Sequence, residues 1–187
     1  MALSTYTLTE TDKAYCLKHA QGMADGFSTY SFKNDAKQSL DVYYIGKVGE
    51  FAVFKYLKNL EKQNKLKIVH VPFRETYERL NFNDDFIIEH NGIRQQIEVR
   101  TKGRNVDPKP EYECCSDCIK PHFLYMFVSF NRQTDTATVL GVANWDNFSK
   151  YAVVTKKGSN NDNFTNKVNE FNIKIQHLTP LNQHFNG

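Results

Sequence analysis

Apolar residues in the first third of the chain recur at helical spacing. A loose stripe predicts a first helix over residues 9–25, which Thr9 or Thr11 would cap. A stronger stripe predicts the main helix over residues 37–62; its members include Ile45, Val48, Ala52, Tyr56 and Leu60. Gly46 and Gly49 weaken this helix locally and would let it approach another element closely. Residues 26–36 are polar and aromatic, which favours a loop.

Later segments have patterns typical of β-strands. Residues 66–71 predict a strand that ends at Pro72, and a polar connection follows over residues 73–83. The apolar run 122–130 predicts a central buried strand, 136–143 its returning partner, and 171–175 a strand near the end. Asn144 is expected to cap a short helix that reaches Tyr151. Residues 103–121 and 155–163 are expected to be loops, the second one basic and flexible.

This order of elements predicts an α/β (α+β) fold with a mixed central sheet of about five strands flanked by helices. The chain has 187 residues, of which 40% are hydrophobic and 24% charged, and this composition is ordinary for one globular domain. We therefore expect a single domain over 1–187, with a core at about 40–150. The first helix and residues 151–187 would be additions to that core.

The pattern is clearest over residues 83–102, which read as a β-hairpin around Asn91-Gly92. A two-residue turn there would pair His90 with Ile93, Ile87 with Gln96, and Asp85 with Glu98. One face would then be apolar, carrying Phe86, Ile88, Ile93, Ile97 and Val99. The other would carry Asp85, Glu89, Arg94, Gln96, Glu98, Arg100 and Lys102, with Ile87 among them.

The opposed carboxylates of Asp85 and Glu98 permit two interpretations. Like charges directly across a strand pair destabilise it, so a hard divalent cation such as Mg²⁺ is a natural partner. Alternatively, the face is simply solvated and is neutralised by Arg94, Arg100 and Lys102. Glu50 has the same two interpretations: on the glycine-flanked part of the main helix it points either at a site or at solvent.

The composition of the chain restricts its partners and location but does not indicate a function. The net charge of +3 permits a polyanionic partner without requiring one. No apolar run is long enough to span a bilayer, and the N-terminus lacks the pattern of a signal peptide, so we expect a cytoplasmic protein. The four cysteines are then expected to be reduced.

Cys115 and Cys118 have the C-x-x-C spacing of a zinc site, and His122 follows four residues later. A fourth ligand is not evident, although Cys16 and Cys114 are candidates. Reduced cysteines without metal are the alternative, and the spacing alone does not separate the two.

Three segments together resemble the PD-(D/E)XK nuclease superfamily, whose fold is restriction endonuclease-like. Residues 47–53 resemble the first core helix of that family, with Glu50 at its centre. Residues 84–87 resemble its "PD" strand, residues 97–102 its "ExK" strand, and residues 122–143 its later core strands. The resemblance covers about residues 40–150, and it depends on the order of the segments because the motif itself is short.

Two positions depart from the family pattern. Asp84 stands where the family usually has Pro, which is a mild change. Arg100 stands where the family usually has its catalytic Lys, and a guanidinium cannot readily give up a proton to act as a base. Lys102 lies on the same face, about 6.6 Å further along the strand, and could supply the ammonium if the strand end bends inward.

The resemblance implies a Mg²⁺-dependent deoxyribonuclease, with Mn²⁺ as a possible substitute. Asp85, Glu98 and the carbonyl of Val99 would hold the metal, and Glu50 would reach it through water or help to hold a second ion. Arg100 or Lys102 would stabilise charge on the phosphate, and Gln96 would position the water or the phosphate. Candidate contacts to the DNA backbone are Arg74, Arg79, Arg104, Lys109, Lys156 and Lys157.

The sequence thus supports a metal-dependent DNA endonuclease of restriction, homing or junction-resolving type, for which a homodimer would suit cutting of both strands. The alternative is a catalytically inactive nucleic-acid-binding protein on the same fold, with the cysteines holding zinc. A third interpretation is a structural domain whose acidic pair lies on the surface without a function.

Overall fold

The computed structural model describes residues 3–27, 36–73, 85–116, 119–156, 158, 160–161, 164–165 and 169–185. Four helices lie among them: α1 (Glu10–Phe27), α2 (Ala36–Lys62), α3 (Trp145–Tyr151) and α4 (Leu181–Phe185). The strands in the first half are β1 (Ser4–Thr7), β2 (Lys67–His70), β3 (Phe86–His90), β4 (Ile93–Arg104) and β5 (Glu113–Ser116). Those in the second half are β6 (Phe123–Asn131), β7 (Thr136–Ala143), β8 (Val153–Thr155), β9 (Asn160–Asn161), β10 (Phe164–Thr165) and β11 (Glu170–Lys174).

Local chemistry explains where the predicted helices begin. Thr9 caps α1 in a reciprocal arrangement: its hydroxyl accepts from the Asp12 backbone N–H (3.2 Å), and the Asp12 carboxylate accepts from the Thr9 N–H (2.9 Å). Asn144 caps α3 in the same way with Asn147. The predicted loop 26–36 and the connection 73–83 lie mostly outside the described residues.

The main sheet has six strands in the order β1-β7-β6-β4-β3-β2, one more than the predicted count of about five. It is mixed, because β4 and β6 run parallel while the other neighbours are antiparallel. The long apolar strand β6 lies between β4 and β7, as its run of apolar residues predicts. The α+β fold class expected from the sequence is therefore confirmed.

Each face of the main sheet is covered by a separate apolar core. On one face α2 packs through Val48, Val53 and Leu57 against residues of the sheet such as Ile97 and Met126. On the other face Tyr125 and Phe127 of β6 pack with α3 and β11. Glu98 and Arg100 of β4 lie opposite Tyr125 and Phe127 of β6, which belong to the second core.

A second, three-stranded sheet in the order β5-β11-β8 corrects two predicted loops. Residues 103–121 include the end of β4 and all of β5, which pairs antiparallel with β11, so that Ile173 lies opposite Cys114. The sequence predicts β11 but not its partners, because β5 and β8 are short and are held by pairing with a distant segment. In the second loop, Thr155, Asn160 and Asn161 belong to strands.

Both ends of the chain contribute elements that the hydrophobic pattern does not predict. Strand β1 pairs with β7 at the edge of the main sheet, and α4 buries Leu181 and Phe185 in the core against α2. Among the described residues, no helix is long and apolar enough to cross a membrane.

Candidate functional site

The hairpin has the predicted register. Ile93 pairs with His90 and Gln96 with Ile87, and both turn residues have positive φ, 51° at Asn91 and 73° at Gly92. These angles are those of a type I′ turn, which joins twisted antiparallel strands in two residues. Continued by one residue beyond the pair of Phe86 and Ile97, this register sets Asp85 opposite Glu98. Ile93 is the exception to the predicted apolar face, since it is exposed at the tip of the hairpin.

Asp85 directly precedes the first residue of β3 and lies beside the longer strand β4. Its backbone N–H donates to the carbonyl of Ile97 (3.2 Å), and its carboxylate accepts from the N–H of Val99 (2.7 Å). Pairing with β3 covers only Ile93–Ile97 of β4, whereas β4 continues to Arg104. Among the described residues, no strand pairs with β4 beyond Ile97 on this side, and the hydrogen bond to Val99 holds the Asp85 carboxylate at this edge of β4.

A close contact between α2 and β4 brings the helix to this edge. A Cβ on Gly49 would lie 1.7 Å from Oγ1 of Thr101, so only glycine permits the observed approach. The predicted role of Gly49 is confirmed, whereas Gly46 has no neighbour within 4 Å of such a Cβ and does not have that role. Glu50 follows directly after the contact residue and is buried.

The buried carboxyl of Glu50 interacts with both hairpin acids. Burial raises the pKa of Glu50 to about 8, and the negative charges of Asp85 and Glu98 act in the same direction. The ammonium of Lys47 opposes this shift. The interpretation of Glu50 as a solvent-facing residue is thus wrong. Because the charges of Asp85 and Glu98 both act on the pKa of Glu50, these three acids are hereafter called the acidic cluster.

Arg100 lies beside the acidic cluster, whereas Lys102 does not contact it. Nη2 of Arg100 is 3.3 Å from Oε1 of Glu98, and both side chains are partly buried. Lys102 is exposed, and its charge acts on Cys115 of β5, where it opposes the rise that burial causes in the pKa of the thiol. The bend that would bring Lys102 inward is therefore not observed.

The chemistry of the acidic cluster fits a hard divalent cation, since carboxylate oxygens are the ligands that Mg²⁺ prefers. In its present arrangement, however, each acid has an internal partner: Lys47 for Glu50, the Val99 N–H for Asp85 and Arg100 for Glu98. Over the described ranges, no three His, Cys, Asp or Glu side chains are arranged to hold a metal ion. Binding of a metal would require these carboxylates to exchange partners.

Lys47 is the residue of this region that sequence reasoning missed. Its side chain is only 5% exposed, and its Nζ lies 2.5 Å from Oε2 of Glu50, one helical turn away. The ring of Phe73 covers the ammonium at 5.8 Å from the ring centroid. The available signal was the i, i+3 spacing of a lysine and a glutamate on the glycine-flanked segment of an otherwise apolar helix.

The remaining predicted residues are more scattered. Gln96 lies on the face of Glu98, opposite Ile87. Arg104 is engaged internally, because it donates to the Glu113 carbonyl (2.7 Å) and packs on Tyr112. Lys109 is exposed and lies near the ring of Tyr112. Lys156 is also exposed and directly follows β8. Arg74, Arg79, Asp84 and Lys157 lie outside the described residues, so their predicted roles stay predictions.

The structure separates the cysteines. Cys16 lies in the core between the helices and the main sheet, whereas Cys114 lies in the core on the opposite face. Cys16 is therefore too remote to complete a zinc site at Cys115. His122 is exposed, and Cys118 lies outside the described residues, so zinc at Cys115, Cys118 and His122 stays a prediction.

Comparisons of this chain with protein-family models, with curated proteins and with solved structures found no significant match. The function must therefore be inferred from the geometry of the acidic cluster and from the resemblance of its segments to the nuclease motif.

Proposed function

We propose that this protein is a metal-dependent DNA endonuclease of the PD-(D/E)XK type that hydrolyses phosphodiester bonds. One observation carries the proposal: Glu50 is buried on α2 beside the close contact of Gly49 with Thr101 of β4, the strand that carries Glu98. The negative charges of Asp85 and Glu98 add to the effect of burial in raising the pKa of Glu50. Burying like charges together is unfavourable, and such arrangements occur mainly at functional sites. The segments that the family resemblance selects are the ones that supply these three acids.

Each residue has a distinct role in the proposed reaction. Asp85 and Glu98 would hold Mg²⁺ together with the carbonyl of Val99, and Glu50 would complete the site. The bound cation would supply a Lewis acid that activates water and neutralises phosphate oxygens. Asp85 is oriented by the Val99 N–H. Arg100, whose guanidinium lies beside Glu98, would bind the scissile phosphate and stabilise the charge that develops there, a role that does not need a proton to be released.

A plasmid-cleavage assay tests this proposal. With Mg²⁺ or Mn²⁺ the parent protein is expected to nick or linearise supercoiled DNA, and Glu98→Ala and Asp85→Asn are expected to abolish cleavage. Asp85→Asn retains an oxygen that can accept from Val99, so it removes the charge and preserves the hairpin. Glu89→Gln is the matched control, because Glu89 is an exposed acid of the same hairpin. If the parent protein leaves the DNA intact, or if Glu98→Ala cuts as well as the parent, the proposed nuclease activity is refuted.

A second candidate is a catalytically inactive nucleic-acid-binding protein on the same fold. The observation that favours it is the internal pairing of all three acids, together with Arg100 in the place of the usual lysine. This candidate predicts DNA binding that is insensitive to Mg²⁺ and unaffected by Glu98→Ala. A gel-shift titration with and without Mg²⁺ therefore separates the two candidates.

A further inference from the structure

A row of hydroxyl-bearing side chains crosses one end of the main sheet. Thr138 of β7 lies directly opposite both Thr5 of β1 and Ser129 of β6. Directly opposed residues of neighbouring antiparallel strands point to the same face of a sheet, so these three side chains are neighbours on one face. Ser129 follows Phe127 by two residues on β6, so the row is on the same face as the core that contains Tyr125 and Phe127. This face is therefore apolar at one end and polar at the other.

A cavity lies at this polar end, between the sheet and the segment that follows β4. Its volume is about 400 Å³, which is within the range of small-molecule sites, and threonines of β1 and β7 line it. Asp107 and Pro108 line it from the segment after β4, and Leu3 lines it from the residue before β1. Asp107 is held in place by Asn131 of β6, whose side-chain amide donates to Oδ1 of the carboxylate (2.9 Å). One carboxylate and several hydroxyl groups therefore surround a single cavity.

The hydroxyl groups of this row have only weak hydrogen bonds within the protein. Oγ1 of Thr5 and Oγ1 of Thr138 are 3.3 Å apart, whereas a good O–H···O hydrogen bond is about 2.7–2.8 Å long. Ser129 is only 1% exposed, and its Oγ has no hydrogen-bond partner in the part of the chain that the structure describes. Thr136 donates to the carbonyl of Thr134 (3.1 Å) but can still accept. Since a buried polar group without a partner is costly, the row favours a ligand that can both donate and accept.

The chemistry of the lining indicates the class of ligand. Hydroxyl groups of a ligand match those of the protein, because each can donate to and accept from the other. The Asp107 carboxylate can accept from two further hydroxyl groups, and such charge-assisted hydrogen bonds are the stronger ones. Of the described residues that line the cavity none carries a positive charge, which disfavours phosphate and other anions. Leu3 and Pro108 supply apolar contacts for C–H groups.

We propose that this cavity is a binding site for a neutral, polyhydroxylated ligand of about the size of a monosaccharide. Asp107 accepts hydrogen bonds from ligand hydroxyl groups, and Thr5 and Thr138 exchange their long mutual contact for shorter bonds to the ligand. The site shares no residue with the acidic cluster, so it can be tested separately from the proposed nuclease activity.

Titration of the isotope-labelled full chain, followed by heteronuclear NMR, tests this inference. The probes are D-glucose, D-galactose, D-mannose, D-ribose and myo-inositol, with inorganic phosphate as the anionic comparison. At least one of the neutral probes is expected to shift the backbone amide signals of Asp107 and Thr138 in a saturable way. Phosphate is expected to leave these signals unchanged.

Two substitutions locate the site. Asp107→Asn removes the charge but keeps an oxygen for Asn131, and it is expected to weaken binding of the neutral probe by about tenfold or more. Thr138→Val removes one hydroxyl group from a side chain of similar shape, and the expected loss is about threefold or more. The matched controls are Asp146→Asn, at an exposed acid of α3, and Thr7→Val, at a threonine of β1 outside the lining. Both controls are expected to bind like the parent.

The outcomes that overturn the site are distinct from those that overturn the nuclease. If no neutral probe shifts the signals of Asp107 and Thr138, or if only phosphate does so, the site is refuted. Parental affinity in folded Asp107→Asn and folded Thr138→Val places the bound probe elsewhere and also refutes it. Circular dichroism establishes folding; if one variant does not fold the other decides, and if neither folds the shifts in the parent decide. Plasmid cleavage enters none of these results.

Discussion

If the protein is the proposed nuclease, Arg100 is the residue on which catalysis is expected to depend most after the acids themselves. Its guanidinium lies 3.3 Å from Glu98, whereas Lys102 is exposed and directed toward β5. A cation that stabilises charge on phosphate must be close to the metal ligands, and this geometry selects Arg100 over Lys102. Under the proposed function, Arg100 would take the role of the lysine that the nuclease motif usually has at this position.

Two substitutions separate these cations. Arg100→Ala is expected to lower the rate of plasmid nicking by about 100-fold or more, in line with the loss of one charge-stabilising group. Lys102→Ala is expected to retain most of the activity, and Arg100→Lys to retain more than Arg100→Ala. Rates are measured at saturating Mg²⁺. A larger loss in Lys102→Ala than in Arg100→Ala would show that the strand end bends inward when DNA binds.

His19 gives a pH-dependent contribution to stability. Burial lowers the pKa of His19 below its ordinary value of 6.5, and the charges of Lys47 and Lys18 act in the same direction. The imidazole of His19 therefore binds a proton more readily in the unfolded chain than in the folded chain. Its contribution to the free energy of unfolding is complete above pH 6.5 and is lost as the pH falls through the pKa of the folded state.

His19 packs against the aromatic rings of Tyr15 and Phe73, so Phe is a suitable replacement. His19→Phe is expected to reduce the fall in Tm between about pH 8 and about pH 5. His122→Gln, at an exposed histidine, is the control and should leave the fall unchanged. Melting curves at several pH values provide the measurement. A steeper fall in His19→Phe would contradict the assignment of a buried neutral imidazole.

At the level of elements, the contact between α2 and β4 determines whether the acidic cluster forms. Gly49→Ala would place a methyl group against Thr101, a short branched side chain that cannot move away without disturbing β4. Overpacking of this kind costs about 1–3 kcal/mol, and the shift of the helix should also displace Glu50.

Gly46→Ala on the same helix is the matched comparison, because nothing lies within 4 Å of the added methyl group. It is expected to stabilise the protein by up to about 1 kcal/mol through improved helix propensity. Urea denaturation gives both free energies of unfolding. Equal effects of the two substitutions would mean that the close approach of α2 to β4 is not required.

The elements that could be predicted from the sequence are those that local chemistry specifies. The Asn91-Gly92 turn fixes the register of Asp85 and Glu98, and Thr9 and Asn144 specify where α1 and α3 begin. Strands β5 and β8 could not be predicted, because their pairing with β11 is between distant segments. The pairing of Lys47 with Glu50 was also missed, since the sequence does not show which face of α2 is enclosed by Phe73.

On the scale of the whole molecule, the fold is expected to form without a metal ion at the acidic cluster. The main sheet and its two cores are independent of the acidic cluster, and each acid already has a partner within the chain. Removal of divalent ions with EDTA is therefore expected to abolish cleavage while leaving the far-ultraviolet circular dichroism spectrum unchanged. Re-addition of Mg²⁺ should restore cleavage and raise Tm with its concentration. Unfolding in EDTA would contradict this account.

The location of a bound metal ion is the sharpest test of whether Asp85 and Glu98 form a metal site. A crystal of the full chain soaked in Mn²⁺ is expected to show an anomalous difference peak between the carboxylates of Asp85 and Glu98, about 2.0–2.3 Å from the nearest oxygen of each. Arg100 is then expected to have moved away from Glu98. The absence of a peak at saturating Mn²⁺, with Glu98 still bonded to Arg100, would contradict the assignment of a metal-dependent site.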